Sequence, residues 1–227
     1  MEVLIAIPTY SGSVRNECVS SIIASLVDLC GRGIAPNIQF LQGNCYIALA
    51  RNVMVTRFLA SEATHLMFVD DDVTFPPDGI SKLMEHDVEL VGGMYPLKRE
   101  EGGFPIRIKD AQPLGKLIDC EGIPTGFMCI KRELLERMIA AMPERKFTEP
   151  NTGEAHYDLF ACERVDGVWW GEDYRFCQLA AEHGAKVWCD PSIEMSHIGT
   201  KAYRGDFNQW LIGRPNGGTV TRSGVAA

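Results

Sequence analysis

The chain of 227 residues is 46% hydrophobic and 23% charged, with a formal net charge of −8. Its length suits one sizeable α/β domain or two small ones, and its acidic balance argues against broad non-specific binding of nucleic acid, which depends on a basic face. No segment approaches the roughly 18 consecutive apolar residues of a membrane span.

The N-terminal segment and the cysteines both indicate a reducing compartment. "MEVLIAIPTY" carries an acid at position 2 and no basic region, so it is expected to be a first strand rather than a signal peptide. The eight cysteines contain no C-x-x-C pair, and several lie in apolar runs. This favours buried free thiols over disulfides or zinc ligands. We therefore expect a cytoplasmic protein.

Strand-length apolar runs alternate with helical segments in the first half of the chain. Strands are expected at 3–7, 37–41, 65–70 and 88–95, and helices at 16–30, 47–60 and 76–86. This alternation is typical of parallel strands joined by crossover helices.

The second half is more mixed. "FPIRIK" and "LGKLIDCE" are expected to form a hairpin around the turn "DAQP", and "GFMCI" a strand that leads into an amphipathic helix over 131–142. One strand is expected at "YDLFACE", and a helix followed by a strand over 171–191. We expect a single domain over 1–199 and a flexible C-terminal tail over 200–227.

Three consecutive aspartates, Asp70, Asp71 and Asp72, follow the apolar run "HLMFV". Carboxylates are costly to hold at the end of a buried strand, and like charges repel. In open α/β sheets, ligands collect at the carboxyl ends of the strands. Carboxylate oxygens suit Mg²⁺ or Mn²⁺, which also hold substrate phosphates. The alternative is an acidic turn that caps the helix beginning near Asp78.

The segment "ALARNVMVTRFL" places Arg51 and Arg57 in an otherwise apolar helix. An arginine in such a setting usually has an anionic partner. That partner is either a surface carboxylate or, in a binding site, Asp70 or a phosphate.

The segment "WWGEDYRFC" places Glu172 and Asp173 at a helix N-terminus directly after Trp169 and Trp170. The helix dipole favours acids there, which is a complete structural explanation. The functional alternative makes Asp173 or Glu172 a general base that deprotonates a hydroxyl held against the tryptophans. Further on, His197 in "SHIG" follows a strand. A neutral imidazole suits Mn²⁺, although a lone histidine is more often structural.

The order of these motifs resembles that of the GT-A glycosyltransferases, over roughly residues 3–200. It is carried by the proline turn after the first strand, "ARN", "FVDDDV", "PTGFMCIKRELL", "GEDYRFC" and a late "SHIG". The resemblance is to compact, family-2-like transferases of bacterial or phage type. It implies an α/β fold: a single GT-A, Rossmann-like domain with a mixed central sheet flanked by helices.

The resemblance also implies an activity and a set of site residues. The activity is metal-dependent transfer of a sugar from a nucleoside diphosphate sugar, expected to be a UDP-sugar, to an acceptor hydroxyl, with inversion. The donor would be bound by Pro8, Thr9 and Tyr10 beside the nucleoside, Arg51 at the nucleotide or its diphosphate, Asp70 towards the ribose, Asp71, and Gly126 beside the sugar.

The remaining roles concern the cation, the base and the tail. Asp72 and His197 would ligate Mn²⁺ or Mg²⁺, and Asp173, preceded by Glu172, would be the catalytic base. From their charge and position alone, Lys201 and Arg204 would close over the diphosphate.

Other functions remain open on the sequence. One is a nucleotidyltransferase, which would release pyrophosphate, although no glycine-rich, lysine-bearing phosphate loop lies near the N-terminus. Another is a non-catalytic nucleotide-sugar-binding protein. The acceptor is unknown: a glycan, a small molecule and a hydroxymethylated DNA base all present suitable hydroxyls. Lys98 and Arg99 would contact phosphates in the last case, but a short charge run is more typical of solvated surface.

Overall fold

A computed structural model of the chain describes residues 1–99, 102–109 and 117–213. Its helices are α1 (Asn16–Gly31), α2 (Ile47–Leu59), α3 (Gly79–Glu85), α4 (Arg132–Ala141), α5 (Glu172–Glu182) and α6 (Phe207–Ile212), with a 3-10 turn at Pro143–Arg145. None of the helices in this part of the chain has the length and apolar character needed to cross a bilayer.

The strands are short in the second half of the chain. They are β1 (Glu2–Thr9), β2 (Ala35–Gln42), β3 (His65–Val69), β4 (Val73–Thr74), β5 (Leu90–Gly93), β6 (Arg107–Ile108), β7 (Ile118–Gly122), β8 (Phe127–Lys131), β9 (Lys146–Thr148), β10 (Ala155–Tyr157), β11 (Glu163–Val165), β12 (Val168–Trp170), β13 (Val187–Asp190), β14 (Ser196–Ile198) and β15 (Ala202–Arg204).

Eight strands form one mixed sheet in the order β2-β1-β3-β8-β5-β13-β7-β6. β1 pairs in parallel with β2 and β3, as the alternation of strands and helices predicts. β8, from the second half of the chain, inserts antiparallel between β3 and β5. β1, β3, β5 and β13 therefore run in one direction, and their carboxyl ends lie at the same edge.

Two apolar layers cover the two faces of this sheet, because alternate residues of each strand point to opposite sides. Leu4 and Ala6 of β1 belong to the layer with α2, α4 and α5, and Ile5 and Ile7 to the layer with α1 and α3. The predicted α/β fold with a mixed central sheet flanked by helices is confirmed.

Several local predictions need correction. Residues 158–162 of the segment predicted as a strand lie between β10 and β11 outside any strand, since β10 and β11 pair with β9 and β12 instead. The predicted pairing of "FPIRIK" with "LGKLIDCE" is confirmed by β6 and β7, whereas the turn at 110–113 lies outside the described residues. No disulfide forms, but Cys30, Cys45 and Cys162 are exposed, so only five of the eight thiols are buried as predicted.

The C-terminal segment folds back towards the aspartates. β14 pairs with β4, which directly follows Asp72, and with β15. α6 then packs through Phe207, whose ring centroid lies 4.9 Å from that of Phe104. β15 and α6 lie within the predicted tail, and residues 214–227 lie outside the described part.

Candidate active site

The sequence-predicted acids lie at the edge of the sheet where five strands, β1, β2, β3, β5 and β13, end in the same direction. Asp70 follows β3 directly, Thr9 ends β1, and Tyr95 lies two residues beyond β5. Gly126 precedes the antiparallel β8 and accepts a hydrogen bond from the Asp70 N–H at 2.9 Å. Parallel strand ends therefore bring these residues into one site, as they do in other α/β sheets.

Arg51 is the buried cation of this site. Its side chain reaches from α2 to Asp70, where Nη2 donates to Oδ1 at 3.1 Å, and only 3% of the residue is exposed. Its Nε lies 3.6 Å from Oε1 of Glu172, and among the described residues neither Nε nor Nη1 has a hydrogen-bond partner. Of the partners that the sequence leaves open, the structure therefore gives Arg51 the carboxylate of Asp70.

The charge of Arg51 is held by its neighbours. Burial disfavours the charged guanidinium, but the carboxylates of Asp70 and Glu172 outweigh it and raise the pKa of Arg51 above its ordinary value. Asp70 follows β3 and Glu172 begins α5. The buried side chain of Arg51 therefore links the acidic segment predicted to bind the donor to the one predicted to supply the catalytic base.

Gly126 leaves room for two oxygen atoms. A Cβ at this position would lie 2.5 Å from both Asp70 Oδ2 and Tyr95 Oη, so both oxygens lie close to the glycine. Burial raises the pKa of Tyr95 well above its ordinary value, and Asp70 adds to the effect. The hydroxyl of Tyr95 therefore stays neutral beside Asp70.

The Asp71 carboxyl lies beside Thr9, the last residue of β1. Burial raises the pKa of its carboxyl, while a hydrogen bond with Thr9 opposes the shift. Its main-chain carbonyl accepts from the Arg15 N–H at 2.9 Å. Asp71 thus connects the turn after β3 to the loop after β1.

Asp72 and His197 come together because β14 pairs with β4. His197 Nε2 lies 3.1 Å from Asp72 Oδ1, and its Nδ1 lies 3.0 Å from the carbonyl oxygen of Pro96. The other carboxylate oxygen, Oδ2, accepts from the ammonium of Lys98. Burial disfavours the charge of Asp72, but the hydrogen bonds from His197 and Lys98 outweigh it and hold the pKa of Asp72 below its ordinary value.

This pair suits a divalent cation. The Pro96 carbonyl accepts the Nδ1–H of His197, which leaves the lone pair of Nε2 directed at the Asp72 carboxylate unless a proton or a cation lies between them. One carboxylate and one imidazole are acceptable ligands for Mn²⁺ and leave positions for substrate oxygens. Within the described ranges, no group of three or more His, Cys, Asp or Glu side chains forms a complete metal site.

The carboxyl group of Asp173 has a raised pKa. It lies in the first turn of α5, and its Oδ1 accepts the Tyr174 N–H at 2.7 Å. Burial and, next, the adjacent Glu172 raise the pKa of Asp173 to about 6, against the opposing effects of Tyr174 and Arg51. A carboxylate of this kind can accept a proton near neutral pH.

The two tryptophans before α5 differ in exposure. Trp169 is 70% exposed, whereas the guanidinium of Arg107 covers the ring of Trp170 at 4.5 Å from its centroid. Successive residues of a strand point to opposite faces, which separates the two rings. Of these two rings, that of Trp169 is therefore the one open to solvent.

The remaining predicted residues lie around this centre. Pro8 is buried in β1, and Thr9 Oγ1 donates to the Ser13 carbonyl at 2.9 Å. Tyr10 is 71% exposed at the end of β1. Lys201 lies between β14 and β15, with its Nζ 5.4 Å from the centroid of the Tyr203 ring.

Sequence reasoning considered Lys98 only as a phosphate contact and missed that the segment 95–98 supports both predicted metal ligands. The Tyr95 ring packs edge-on against His197 with centroids 4.9 Å apart, Pro96 orients the imidazole, and Lys98 reaches Asp72. The available signal was that "MYPLK" follows an apolar strand. Lys98 is thus not simply solvated surface, as its short charge run suggested.

Comparison with solved structures finds similar folds. A197 from STIV matches with a TM-score of 0.54 and 24% sequence identity, covering 88% of this chain and 86% of that chain. GalNAc-T7, solved with UDP, GalNAc and Mn²⁺, matches with a TM-score of 0.53 and 12% identity, covering 89% of this chain. This chain spans only 44% of the length of that GalNAc-T7 chain.

S. aureus TarS 1-349, in complex with UDP-GlcNAc, matches with 14% identity, covering 84% of this chain and 56% of that chain. Its TM-score of 0.49 is too low to carry an argument. No protein-family model and no curated protein matches the sequence. Identities this low show the fold alone. The chain has a GT-A-like fold.

Replacing Gly126 by Ala tests the tight contact above this glycine. The added Cβ would overlap Asp70 Oδ2 and Tyr95 Oη, so we expect the free energy of unfolding to fall by about 1–3 kcal/mol, as for other overpacked sites. Urea denaturation measures the change. Gly31→Ala is the matched control, because no atom lies within 4 Å of its added Cβ. Equal stability of the two variants would contradict the proposed crowding.

Replacing Arg51 by Met tests its electrostatic link to Asp173. The guanidinium lowers the pKa of Asp173, so its removal is expected to raise that pKa above the native value of about 6. Carbon NMR titration of the labelled carboxyl measures it. Arg51→Lys, which keeps the charge, should leave the pKa closer to the native value, and an unshifted titration in Arg51→Met would refute the link.

Proposed function

We propose that this protein is a metal-dependent glycosyltransferase that moves a sugar from a nucleoside diphosphate sugar, a UDP-sugar in the first instance, to an acceptor hydroxyl with inversion. The observation that carries the proposal is the convergence of Asp72 and His197 with the Arg51-linked acids Asp70 and Glu172, beside Asp173, at one sheet edge. In a GT-A-like fold, this edge is where a nucleotide would bind.

The donor would lie across the ends of β1 and β3. Pro8, Thr9 and Tyr10 would flank the nucleoside, and Asp70 and Asp71 would accept hydrogen bonds from it and from the ribose. Arg51 and Gly126 lie behind Asp70, and Lys201 would approach the diphosphate from the loop after β14. The GalNAc-T7 structure, which contains UDP, GalNAc and Mn²⁺, supports a UDP-sugar and a divalent cation for the related fold.

The cation would be held by Asp72 and His197. Bound Mn²⁺ or Mg²⁺ supplies Lewis-acid stabilisation of the negative charge that develops on a leaving diphosphate. Pro96 orients the imidazole, and the depressed pKa of Asp72 keeps its carboxylate in the charged form that binds a cation.

Asp173 would act as the general base. As the acceptor oxygen forms its bond to the anomeric carbon, the hydroxyl proton passes to the Asp173 carboxylate and the bond to the diphosphate breaks with its electron pair. Attack opposite the leaving group inverts the anomeric centre. Burial of Asp173 supports the role, because a base with a pKa of about 6 accepts a proton more readily than an exposed aspartate.

The acceptor is proposed only as a hydroxyl-bearing molecule. The open face of Trp169 suits a sugar ring or another flat group. A hydroxymethylated DNA base remains a candidate, and base stacking on Trp169 would favour it, but the net charge of −8 opposes binding of the phosphate backbone.

Two alternative functions differ in their products. A nucleotidyltransferase would release pyrophosphate, and a binding protein would show no turnover.

A donor screen by calorimetry tests the central proposal. UDP, GDP, CMP and their common sugars are titrated with Mn²⁺ and again with EDTA, and we expect one nucleoside diphosphate to bind only with the cation. Asp72→Asn should reduce that binding by at least about tenfold, since a cation ligand is lost. Ser11→Ala serves as an exposed control near β1. Cation-independent binding, or none in the panel, would refute the proposal.

Asp173→Asn tests both the role of Asp173 as the base and its effect on the free energy of unfolding. The folded-state pKa of about 6 exceeds the ordinary value of 3.8, so stability from this group is present below about pH 4 and lost as the pH rises through 6. At pH 7.5, the free energy of unfolding of the variant should therefore exceed that of the native protein by about 1–3 kcal/mol. At pH 4, the two free energies of unfolding should be equal.

The same variant should transfer sugar about 10²–10⁴-fold more slowly, measured with labelled donor once an acceptor is found. Because stability and activity move in opposite directions, misfolding cannot explain the loss. Native-like transfer by the variant would remove Asp173 from the proposed role.

A further inference from the structure

Both oxygens of the Asp72 carboxylate are already occupied. His197 Nε2 lies 3.1 Å from Oδ1, and the ammonium of Lys98 pairs with Oδ2. The Asp72 side chain is 23% exposed and that of Lys98 35% exposed, so the pair is reachable from solvent. A divalent cation that approaches Oδ2 would compete with this ammonium, because two positive charges repel each other at one oxygen.

The ammonium of Lys98 can leave this carboxylate while the backbone and the aliphatic stem of the residue keep their contacts. Its backbone belongs to the segment that also supplies Tyr95 and Pro96 to His197. Its aliphatic stem lies along Gly199, where an added Cβ would be 3.3 Å from Lys98 Cδ. The chain of four methylene groups can move the ammonium while the stem stays on the protein.

We propose that Lys98 exchanges partners during donor binding: it neutralises Asp72 in the free protein, and it moves to the donor diphosphate when a divalent cation takes its place. The inference rests on the proposed function, since it requires a diphosphate at this sheet edge. Two charges favour the exchange. The cation brings a larger charge to Asp72, and the diphosphate offers the displaced ammonium a new anionic partner.

The exchange makes two predictions of opposite sign for Lys98→Met. With Mn²⁺ alone, the variant should bind about two- to fivefold more tightly than the native protein, because a competing ion pair of modest strength has been removed. With Mn²⁺ saturating, the variant should bind UDP roughly tenfold more weakly, because a charge-assisted hydrogen bond to the diphosphate is lost.

Binding of Mn²⁺ is measured by electron paramagnetic resonance of the free ion, and binding of UDP by calorimetry. Arg99→Met is the matched control. It removes the same charge from the next residue, whose guanidinium instead donates to the Gly102 carbonyl at 2.7 Å. A general change in surface potential would affect both variants alike, whereas partner exchange affects Lys98→Met alone. Uridine, which has no diphosphate, should bind native protein and Lys98→Met equally.

The outcomes separate this inference from the proposed function. If native protein and Lys98→Met bind UDP with Mn²⁺ equally well, the exchange is refuted and the donor site stands. If Lys98→Met binds Mn²⁺ more weakly, Lys98 supports the cation instead of competing with it, and the exchange is again refuted. If the native protein binds Mn²⁺ but no nucleotide, the diphosphate half of the inference fails together with the proposed function.

Discussion

The arrangement of the site depends on one buried ion pair, between Arg51 of α2 and Asp70 at the end of β3. Its distance of 3.1 Å and the burial of Arg51 explain how a carboxylate can stand at the end of an apolar strand. Removing one partner of such a pair leaves an uncompensated charge, which is strongly destabilising. The same guanidinium lies 3.6 Å from Glu172, and its charge lowers the pKa of the neighbouring Asp173 against the larger effects of burial and Glu172, which raise it.

A second group of contacts holds Asp72 and His197, and it comes from parts of the chain far apart in sequence. β14 brings His197 to β4, and the segment after β5 supplies the ring contact of Tyr95, the carbonyl of Pro96 and the ammonium of Lys98. These groups orient the proposed cation ligands and give them hydrogen-bond partners in the free protein. Backbone pairing therefore brings these distant residues together, and their hydrogen bonds and charges fix the side chains.

Sequence patterns were informative where a local rule applies. Helical periodicity located α4, whose Leu134 and Leu135 are buried, and the apolar run before the aspartates located β3. The same patterns were misleading where tertiary pairing decides. "YDLFACE" has strand propensity, but Asn52 Oδ1 accepts the N–H groups of Leu159 and Phe160 at 3.1 Å and 3.0 Å, so these backbone groups find partners without a strand.

By itself, the sequence determined the alternation of strands and helices, the position of Asp70, Asp71 and Asp72 at a strand end, and that of Asp173 at a helix start, because periodicity and caps act over a few residues. Only the tertiary structure decided that β8 separates β3 from β5, that Arg51 pairs with Asp70, and that Lys98 shares Asp72 with His197. The physical reason is that strand order and burial depend on contacts between distant residues. The same lysine is solvated or paired according to which strand end lies beside it.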